Sequence, residues 1–466
     1  MQRLFAIAGL TWKAAFRFRL FLVLAVLLLA AVVGLPLLIK DDGTARGFTQ
    51  VLLTYTLSVI TALLGWSTLW LSCGTLARDI EECQMQVVAV KPIARWQIWL
   101  GKWLGLMLLN AALLALAGGS VYALLQWRAT RLPPDQQRIL RNEVLVSRGT
   151  ARPASVAKFI EEETDRQTRD QLKKSGIAVA DLSLLRQQIK EQIKADFQIV
   201  PPATHSSPYR AWKIDLGLAK RYLRDQPLFL RVKFNTALTE TGNTATCGAL
   251  WQVGVPETPR VWRSEWMSLA AETFHEFQIP ANLFDDNGVL TVFFINPNDV
   301  ALLFPLEDGV EVLFRQGGFG LNFVRGLGII WCWMALLAAL GLAAASFLSF
   351  PVAAFLSLAI LTIYFSSGTM SEVVEMGSVL GVSHEGGVNR LPIDALFVRA
   401  FKSLLWLGNQ VKQFSPIDAL SVGRSISWQQ LGLAFGLIVV LFGGIVGSIG
   451  AAIFSRRELA TAQGTQ

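Results

Sequence analysis

The chain reads Leu76-Ala77-Arg78-Asp79-Ile80-Glu81-Glu82 between the second and third of its long apolar runs. A basic turn then reads Lys91-Pro92-Ile93-Ala94-Arg95, and Leu100-Gly101-Lys102-Trp103-Leu104-Gly105 leads directly into the third run. The order is a short acidic amphipathic segment, a basic turn broken by proline, and the start of the next apolar run. We therefore expect residues 77–102 to form a charged connection between two membrane spans.

Six apolar runs predict six spans. The composition agrees, with 53% hydrophobic and 16% charged residues. Crossing a bilayer takes about 20 mostly apolar residues, with about 17 as the lower limit. The six runs contain no Asp, Glu, Lys, Arg or His and cover residues 21–39, 51–73, 103–125, 327–347, 349–365 and 431–454. The predicted fold is an α-helical membrane protein with six transmembrane helices, spans 1–3 within residues 21–126 and spans 4–6 within 321–455.

The charges that flank the spans orient them. The first twenty residues include basic residues but no acidic one, and Arg456 and Arg457 follow the last span. The positive-inside rule then places both termini in the cytoplasm, which an even number of spans permits. Residues 1–20 are predicted to form an interfacial elbow helix, and residues 456–466 a cytoplasmic tail. The expected location is the bacterial cytoplasmic (inner) membrane.

One loop conflicts with this rule. Residues 366–430 are predicted to be extracytoplasmic, yet this loop contains five basic residues, Arg390, Arg399, Lys402, Lys412 and Arg424. Long loops follow the rule poorly, so the extracytoplasmic prediction stands. The alternative for the first span is a cleaved signal peptide. It is disfavoured because the run is longer than a usual h-region and no small-x-small site follows it.

An insertion at residues 127–320 must lie on the extracytoplasmic side. Its first part, 127–208, is highly charged, and four apolar residues recur there at four-residue spacing: Leu185, Ile189, Ile193 and Phe197. That spacing predicts a helical hairpin with a narrow apolar stripe. Its second part, 209–320, alternates apolar and polar residues between turns such as Asn287-Gly288. Such alternation predicts an antiparallel β-sandwich.

Three tryptophans of the predicted sandwich have two explanations. Trp251, Trp262 and Trp266 could stack on sugar rings, as aromatic residues do in carbohydrate-binding modules. Alternatively, they belong to the sandwich core, which is the commoner fate of a tryptophan in such a fold. The sequence leaves both open.

Several chemistries are disfavoured. The chain contains no Gly-x-x-x-x-Gly-Lys-Ser/Thr, so it cannot supply its own P-loop, and His384-Glu385 lacks the second His of a zinc-protease motif. We expect neither a catalytic nor a metal site, and no cofactor. A disulfide framework is excluded, because only one of the four cysteines, Cys247, is predicted to face an oxidising compartment; Cys73 and Cys332 lie in or beside spans, and Cys83 is predicted to be cytoplasmic. Basic residues next to the spans suit membrane lipid as a partner rather than nucleic acid. Uncharged spans disfavour an ion-coupled transporter, so the energy must come from elsewhere.

The stretch quoted first resembles type-2 ATP-binding-cassette (ABC) permeases. The family has an Arg-x-x-Glu element, here Arg78 to Glu81, and a Pro-Ile-x-Arg … Gly-Lys element, here Pro92 to Lys102. Its Phe-x-Arg-Arg-Glu-Leu tail is similar to Phe454-Ser455-Arg456-Arg457-Glu458-Leu459. The family usually continues Glu-Gly-Thr where this chain has Cys83-Gln84 after Glu82. The insertion lies outside the resemblance.

The resemblance implies a function and a set of site residues. The chain would be the permease subunit of an ABC transporter, an exporter, with ATP bound by a separate ATPase subunit. Two permeases, as a homodimer or a heterodimer, would assemble with two ATPases. The resemblance assigns ATPase coupling to eight residues: Arg78, Asp79, Glu81, Glu82, Pro92, Arg95, Gly101 and Lys102.

Two further alternatives stay open. Gly443, Gly447 and Ala451 recur at four-residue spacing in the last span, and small residues at this spacing let helices approach closely. They would serve packing within the bundle or a dimer interface. The alternative function is a membrane-anchored extracytoplasmic binding or sensor protein, which would have no use for the charged connection at residues 77–102.

Overall fold

The protein divides into two compact units in the computed structural model. Unit 1 comprises Met1–Ser147 and Gly317–Gln466, and unit 2 comprises Arg148–Gln316. The structure describes residues 2–17, 20–38, 45–82, 84–85, 93–131, 133–140, 144–175, 182–205, 208–236, 246–256, 258–365, 367–376 and 394–457. Unit 2 falls inside the predicted insertion.

The elements follow in chain order. The helices are α1 (Gln2–Arg17), α2 (Leu20–Leu38), α3 (Ala45–Glu81), α4 (Arg95–Ala129), α5 (Pro134–Ile139), α6 (Ala157–Ser175), α7 (Leu182–Gln198), α8 (Phe319–Ala345), α9 (Phe350–Phe365), α10 (Ser367–Met376), α11 (Asp394–Lys412), α12 (Pro416–Ser421) and α13 (Trp428–Arg456). The strands are β1 (Val146–Ala151), β2 (Ile199–Val200), β3 (Tyr209–Asp215), β4 (Leu228–Val232), β5 (Asn235–Thr236), β6 (Thr246–Gly254), β7 (Val261–Arg263), β8 (Met267–Ala270), β9 (His275–Ile279), β10 (Val289–Ile295), β11 (Leu302–Leu303) and β12 (Val310–Gly318). Within α13, Phe435–Gly443 is π-helical.

Among the residues that the structure describes, four helices are long and apolar enough to cross a membrane: Thr49–Glu81 of α3, together with α4, α8 and α13. A fifth counts only if α1 and α2, which are bent by 65° to each other, form one broken span. Helix α9 has 16 residues and reaches about 24 Å, short of a hydrocarbon core of about 30 Å. The prediction of an apolar helical bundle is confirmed, whereas the six spans are not.

Helix α8 is the central helix of unit 1. It packs against α3, α4, α9, α12 and α13, and 61% of its apolar window is buried, compared with 28% for α13. Small side chains permit this, because Ala335, Ala338 and Ala339 are buried and Gly341 faces the Ser72 side chain. Helices in a membrane approach closely at such residues. Helix α13 instead exposes much of its apolar surface, as a helix at the lipid boundary would.

Unit 2 contains three antiparallel sheets, which confirms the predicted β region. One sheet has the order β1-β12-β4-β9, a second has β3-β10-β6-β7 with β8 also paired to β6, and the third has β2-β11-β5. The first two share one core, to which Val232 and Val312 contribute from one sheet and Trp251 and Phe294 from the other. The alternating pattern puts these residues on the same face of each strand. The region is therefore sandwich-like.

Strand β1 lies where the sequence predicted helices. It has no alternation of apolar residues, and Arg148 within it is buried because its Nη1 lies 2.5 Å from Glu276 Oε1. The same sheet buries Glu311, whose carboxylate lies 3.4 Å from Arg231 and 3.3 Å from Arg152. Charged residues such as Arg148 and Glu311 are expected to be exposed, and the sequence does not reveal that they pair with residues of opposite charge inside the sheet. Strand β1 was therefore not predicted.

Helices α6 and α7 pack on each other through a narrow apolar stripe. Ile160, Ile189 and Ile193 are buried in it, and Phe159 meets Phe197 edge to face at 5.6 Å between ring centroids. Their outer faces carry ion pairs such as Arg186 with Asp165. The geometry matches the hairpin expected from the four-residue spacing.

Candidate coupling site

Five helix ends of unit 1 meet at one end of the bundle. They are the carboxyl ends of α3, α8 and α13 and the amino ends of α4 and α9, and residues 75–82, 95–102, 345–350 and 455–457 connect them. We call this region the charged end. It contains most of the residues that the family resemblance assigns to ATPase coupling.

An ion pair with one buried partner joins α3 to α4. Lys102 Nζ donates to Asp79 Oδ2 at 2.5 Å and to the carbonyl oxygen of Thr75 at 2.6 Å. Lys102 is only 7% exposed. A buried ammonium needs such partners, since an unpaired charge in this position would be costly. The pair therefore fixes the two helices to each other next to the connection between them.

Glu81 and Arg78 tie α3 to α9. Glu81 Oε1 accepts a hydrogen bond from the backbone N–H of Phe350 at 2.8 Å, which places a carboxylate at the amino end of α9, where the helix dipole favours it. The Arg78 guanidinium lies 4.3 Å from the centroid of the Phe350 ring, within the range of a cation–π contact. Phe350 therefore contacts α3 through both its backbone N–H and its ring.

Two arginines satisfy helix carbonyls at the charged end. Arg95 Nη1 donates to the carbonyl oxygens of Ser455 at 2.9 Å and Arg457 at 2.7 Å, which joins α4 to α13. Arg457 Nη1 donates in turn to Ser346 at 3.1 Å and Ala345 at 3.5 Å, at the end of α8. The last carbonyls of a helix lack intrahelical partners, and basic side chains commonly serve them.

Gly101 packs against α1. A Cβ at Gly101 would lie 2.7 Å from Ile7 Cβ, and one at Gly105 would lie 2.6 Å from Thr11 Cβ. Glycines four apart let the two helix backbones approach closely. Gly101 therefore serves helix packing in this structure, and its assignment to coupling stays a prediction.

Glu82 is an exposed residue of the predicted set, as are Arg78 and Glu81. Its Oε2 accepts a hydrogen bond from Gln84 Nε2 at 2.7 Å, and both side chains face outward. Trp96, at the start of α4, is also exposed. Pro92 lies outside the described residues. A partner at the charged end would therefore meet Glu82 and Trp96 before it met Asp79 or Lys102.

Gly447 and Gly450 of α13 face the bundle. A Cβ at Gly447 would lie 3.0 Å from the Trp99 ring, and one at Gly450 would lie 2.8 Å from Ala343 Cα. Gly443 is buried, and Ala451 packs on the core of unit 1. These contacts are of the kind expected for packing within the bundle. Sequence reasoning missed Trp99, although a tryptophan one turn into an apolar helix was a visible signal.

The three tryptophans of unit 2 differ in exposure. Trp251 is 1% exposed in the core, and Trp262 is half-buried, with its ring centroid 6.1 Å from that of Phe277. Trp266 is 64% exposed, and its ring lies over Gly248, where a Cβ would come within 2.6 Å of it. Only Trp266 of the three presents a face on which a ring could stack.

The described cysteines are buried and carry no disulfide. They are Cys73, Cys247 and Cys332, whereas Cys83 lies outside the described residues. Burial raises the pKa of the Cys247 thiol in unit 2, which keeps it protonated and unreactive. Among the residues that the structure describes, no group of three or more His, Cys, Asp or Glu could hold a metal ion.

In comparisons with known proteins, no family model, no curated protein and no solved structure matched this chain. Function is therefore inferred from the charged end and from the motifs that its residues form.

Proposed function

We propose that this chain is the permease subunit of an ATP-driven ABC transporter of the type-2 class, an exporter. It would couple to a separate ATPase through the connection between α3 and α4. The observation that carries the proposal is the continuity of the charged end. Asp79 with Lys102, Glu81 with Phe350, and Arg95 with Ser455 join the residues on either side of this connection to helices α3, α4, α9 and α13.

Such an arrangement suits the transmission of force. Helices α3 and α4 have 37 and 35 residues, so each is about 50 Å long and runs uninterrupted from the charged end to the opposite end of the bundle. A push on Glu82 would act on both helices, because the Lys102–Asp79 pair joins α4 to α3 beside it. ATP, bound by the partner subunit, would supply the energy for this movement.

The polar interior of the bundle is consistent with an external energy source. Thr68 Oγ1 donates to Asn110 Oδ1 at 3.0 Å, and both residues are buried. These groups are neutral and do not titrate at physiological pH, so this pair cannot carry a proton across the bundle. Ion-coupled transporters use ionisable or broken-helix sites at this depth.

The proposal is tested by reversing one exposed charge. The full chain is co-expressed with the P-loop ATPase of a neighbouring reading frame, and co-purification and ATP hydrolysis are measured. Glu82→Lys should release the ATPase, since loss of a charged contact buried in an interface costs about 2–5 kcal/mol. Glu162→Lys, an equal change on the exposed face of α6, is the matched control. Unchanged co-purification and hydrolysis with Glu82→Lys would contradict the coupling assignment.

Topology needs a separate test. In a background without the native cysteines, Glu82→Cys should react with an impermeant thiol reagent only after lysis, whereas Thr258→Cys should react in intact cells. Ser415→Cys probes the loop at 366–430, where basic residues oppose the predicted extracytoplasmic side. Labelling of Glu82→Cys in intact cells would invert the proposed orientation.

A second candidate is a membrane-anchored extracytoplasmic binding or sensor protein, for which the exposed ring of Trp266 is the supporting observation. Sugar binding through this ring would quench its fluorescence, and Trp266→Ala would abolish binding while leaving the fold intact. A protein of this kind should keep its function when Glu82 is reversed in charge. The two proposals thus predict opposite results for one variant.

A further inference from the structure

A groove opens where α8 and α13 end together. It has a volume of about 380 Å³ and is lined by Ser346, Phe347, Ile453, Arg456 and Arg457. Phe347 is 50% exposed and Ile453 is partly exposed, so one wall of the groove is apolar. The other wall carries two guanidinium groups. The groove therefore combines apolar surface and positive charge within a few ångströms.

The two guanidinium groups differ in the partners they have within the chain. Arg457 donates to the carbonyls of Ala345 and Ser346 at the end of α8, so its charge offsets the negative end of that helix dipole. Arg95 does the same for the last carbonyls of α13. Arg456 is exposed, and its side chain has no partner among residues 2–457 as far as the structure describes them. Its guanidinium can thus serve an anion from outside the chain.

The position along α13 indicates the kind of anion. The helix has 29 residues and is about 43 Å long, close to the about 40–45 Å of a bilayer with its headgroups. Trp428, which is 61% exposed, begins it, and tryptophan prefers the interface between membrane and water. Arg456 at the other end then lies at the level of the phosphates, and Phe347 and Ile453 border the acyl chains.

We propose that this groove binds one phospholipid with an anionic headgroup. The Arg456 guanidinium would hold the phosphate, which its planar fork fits through two parallel hydrogen bonds. Phe347 and Ile453 would pack against the glycerol and the first methylenes of an acyl chain. This inference rests on the proposed function only in requiring that α13 spans a membrane; it does not require an ATPase.

The test uses the full chain in nanodiscs of phosphatidylcholine, with or without added phosphatidylglycerol. Native mass spectrometry counts the bound lipid, and thermal unfolding measures protection. The wild-type chain should retain phosphatidylglycerol and unfold at a higher temperature with it.

Arg456→Gln should weaken this binding about fivefold, the effect of one basic residue near an anionic surface. Arg456→Lys should retain part of the binding. Arg263→Gln, on an exposed side chain of unit 2, is the matched control and should change nothing.

Three results would overturn the inference. The first is binding of phosphatidylglycerol by Arg456→Gln at the wild-type level. The second is equal protection of the chain by inorganic phosphate alone, which would identify a free anion as the ligand. Loss of the ATPase with Arg456→Gln at unchanged lipid binding would assign the groove to the ATPase. Failure of the chain to enter nanodiscs would instead contradict the proposed membrane function, so the two failures are distinguishable.

Discussion

Each unit contains an ion pair with a buried partner, and the surroundings of the two pairs differ. The pair in unit 1 is Lys102 with Asp79, and the pair in unit 2 is Arg231 with Glu311. The Asp79 side chain keeps 34% of its surface exposed, whereas Glu311 keeps none. The first pair joins the ends of two long helices, and the second lies within a sheet, where Glu311 on β12 is directly opposite Arg231 on β4. One pair is half open to solvent and the other is sealed.

This difference indicates different roles. A sealed pair cannot separate without leaving a charge in a low-dielectric interior, so it holds one conformation. In a half-open pair, water can replace a lost partner, so the pair can separate and re-form at lower cost. We infer that the sheet network stabilises unit 2, whereas the charged end can rearrange, as the proposed transport function would require. The predictions below separate these roles by the size of their effects.

The largest effect is expected at Glu311. Glu311→Ala would remove a fully buried carboxylate that pairs with Arg231 and Arg152, and it should lower the free energy of unfolding by about 3–5 kcal/mol. Amide hydrogen exchange in the full chain would show this as lost protection in β4 and β12. Glu162→Ala on exposed α6 should have no such effect. If both variants retain wild-type protection, the pair is not a stabilising element. Glu311→Leu combined with Arg231→Met should restore most of the protection.

The contact of α1 with α4 should show the next largest effect. Gly101→Ala would bring a Cβ to 2.7 Å from Ile7 Cβ and 3.2 Å from the Leu4 carbonyl oxygen, and such overpacking costs about 1–3 kcal/mol. Gly119 lies on the same helix with no neighbour within 4 Å of its missing Cβ. Gly119→Ala should therefore stabilise, by about 0.5–1 kcal/mol. Thermal unfolding in detergent measures both, and changes of the same sign would contradict the packing of α1 on α4.

The helices of unit 1 and most strands of unit 2 could be predicted from the sequence. Apolar runs without charges predicted the bundle, because hydrophobicity alone determines which helices can enter a membrane. Alternation of apolar and polar residues in 230–234 and 310–314 predicted strands β4 and β12, because it places the apolar side chains on one face of each strand. Strand β1 escaped prediction because Arg148 is buried by pairing with Glu276, and such a pairing is visible only when distant strands are brought together.

The candidate site was predictable in position but not in its contacts. The spacing of Arg78, Glu81, Arg95 and Lys102 placed these residues beside one connection. Arg78 contacts the Phe350 ring and Glu81 its backbone N–H, whereas Arg95 contacts the carbonyl of Ser455 and Lys102 the side chain of Asp79. Backbone partners leave no mark on the sequence, so residues predicted to face an ATPase turned out to contact neighbouring helices.

A smaller effect is expected at the half-open pair. Lys102→Met removes the ammonium from Asp79, and the carboxylate, one third exposed, can still meet water. The free energy of unfolding should fall by about 1–2 kcal/mol, well below the loss at Glu311. Thermal unfolding of the full chain in micelles provides the measurement, and Lys102→Met with Asp79→Asn should recover part of the loss. A loss equal to that of Glu311→Ala would remove the distinction between a sealed and a half-open pair.

The smallest effect on stability is expected at Glu82, although its effect on function should be the largest. Its side chain is exposed and contacts only Gln84 among the described residues, so Glu82→Gln should change the free energy of unfolding by less than about 0.5 kcal/mol. Glu81→Ala, one residue earlier, removes the acceptor for the Phe350 N–H and should cost about 0.5–2 kcal/mol, as the loss of a helix cap does.

The two variants should therefore rank oppositely in the two measurements: Glu81→Ala should have the larger effect on unfolding, and Glu82→Gln the larger effect on ATPase co-purification. Glu82→Gln should weaken association with the ATPase without lowering the stability of the chain. Glu81→Ala should lower the stability of the chain more than it weakens this association. If Glu81→Ala alone released the ATPase while Glu82→Gln did not, the partner would recognise the arrangement of α3 and α9 rather than the exposed carboxylate. The docking surface would then have to be sought beside Phe350.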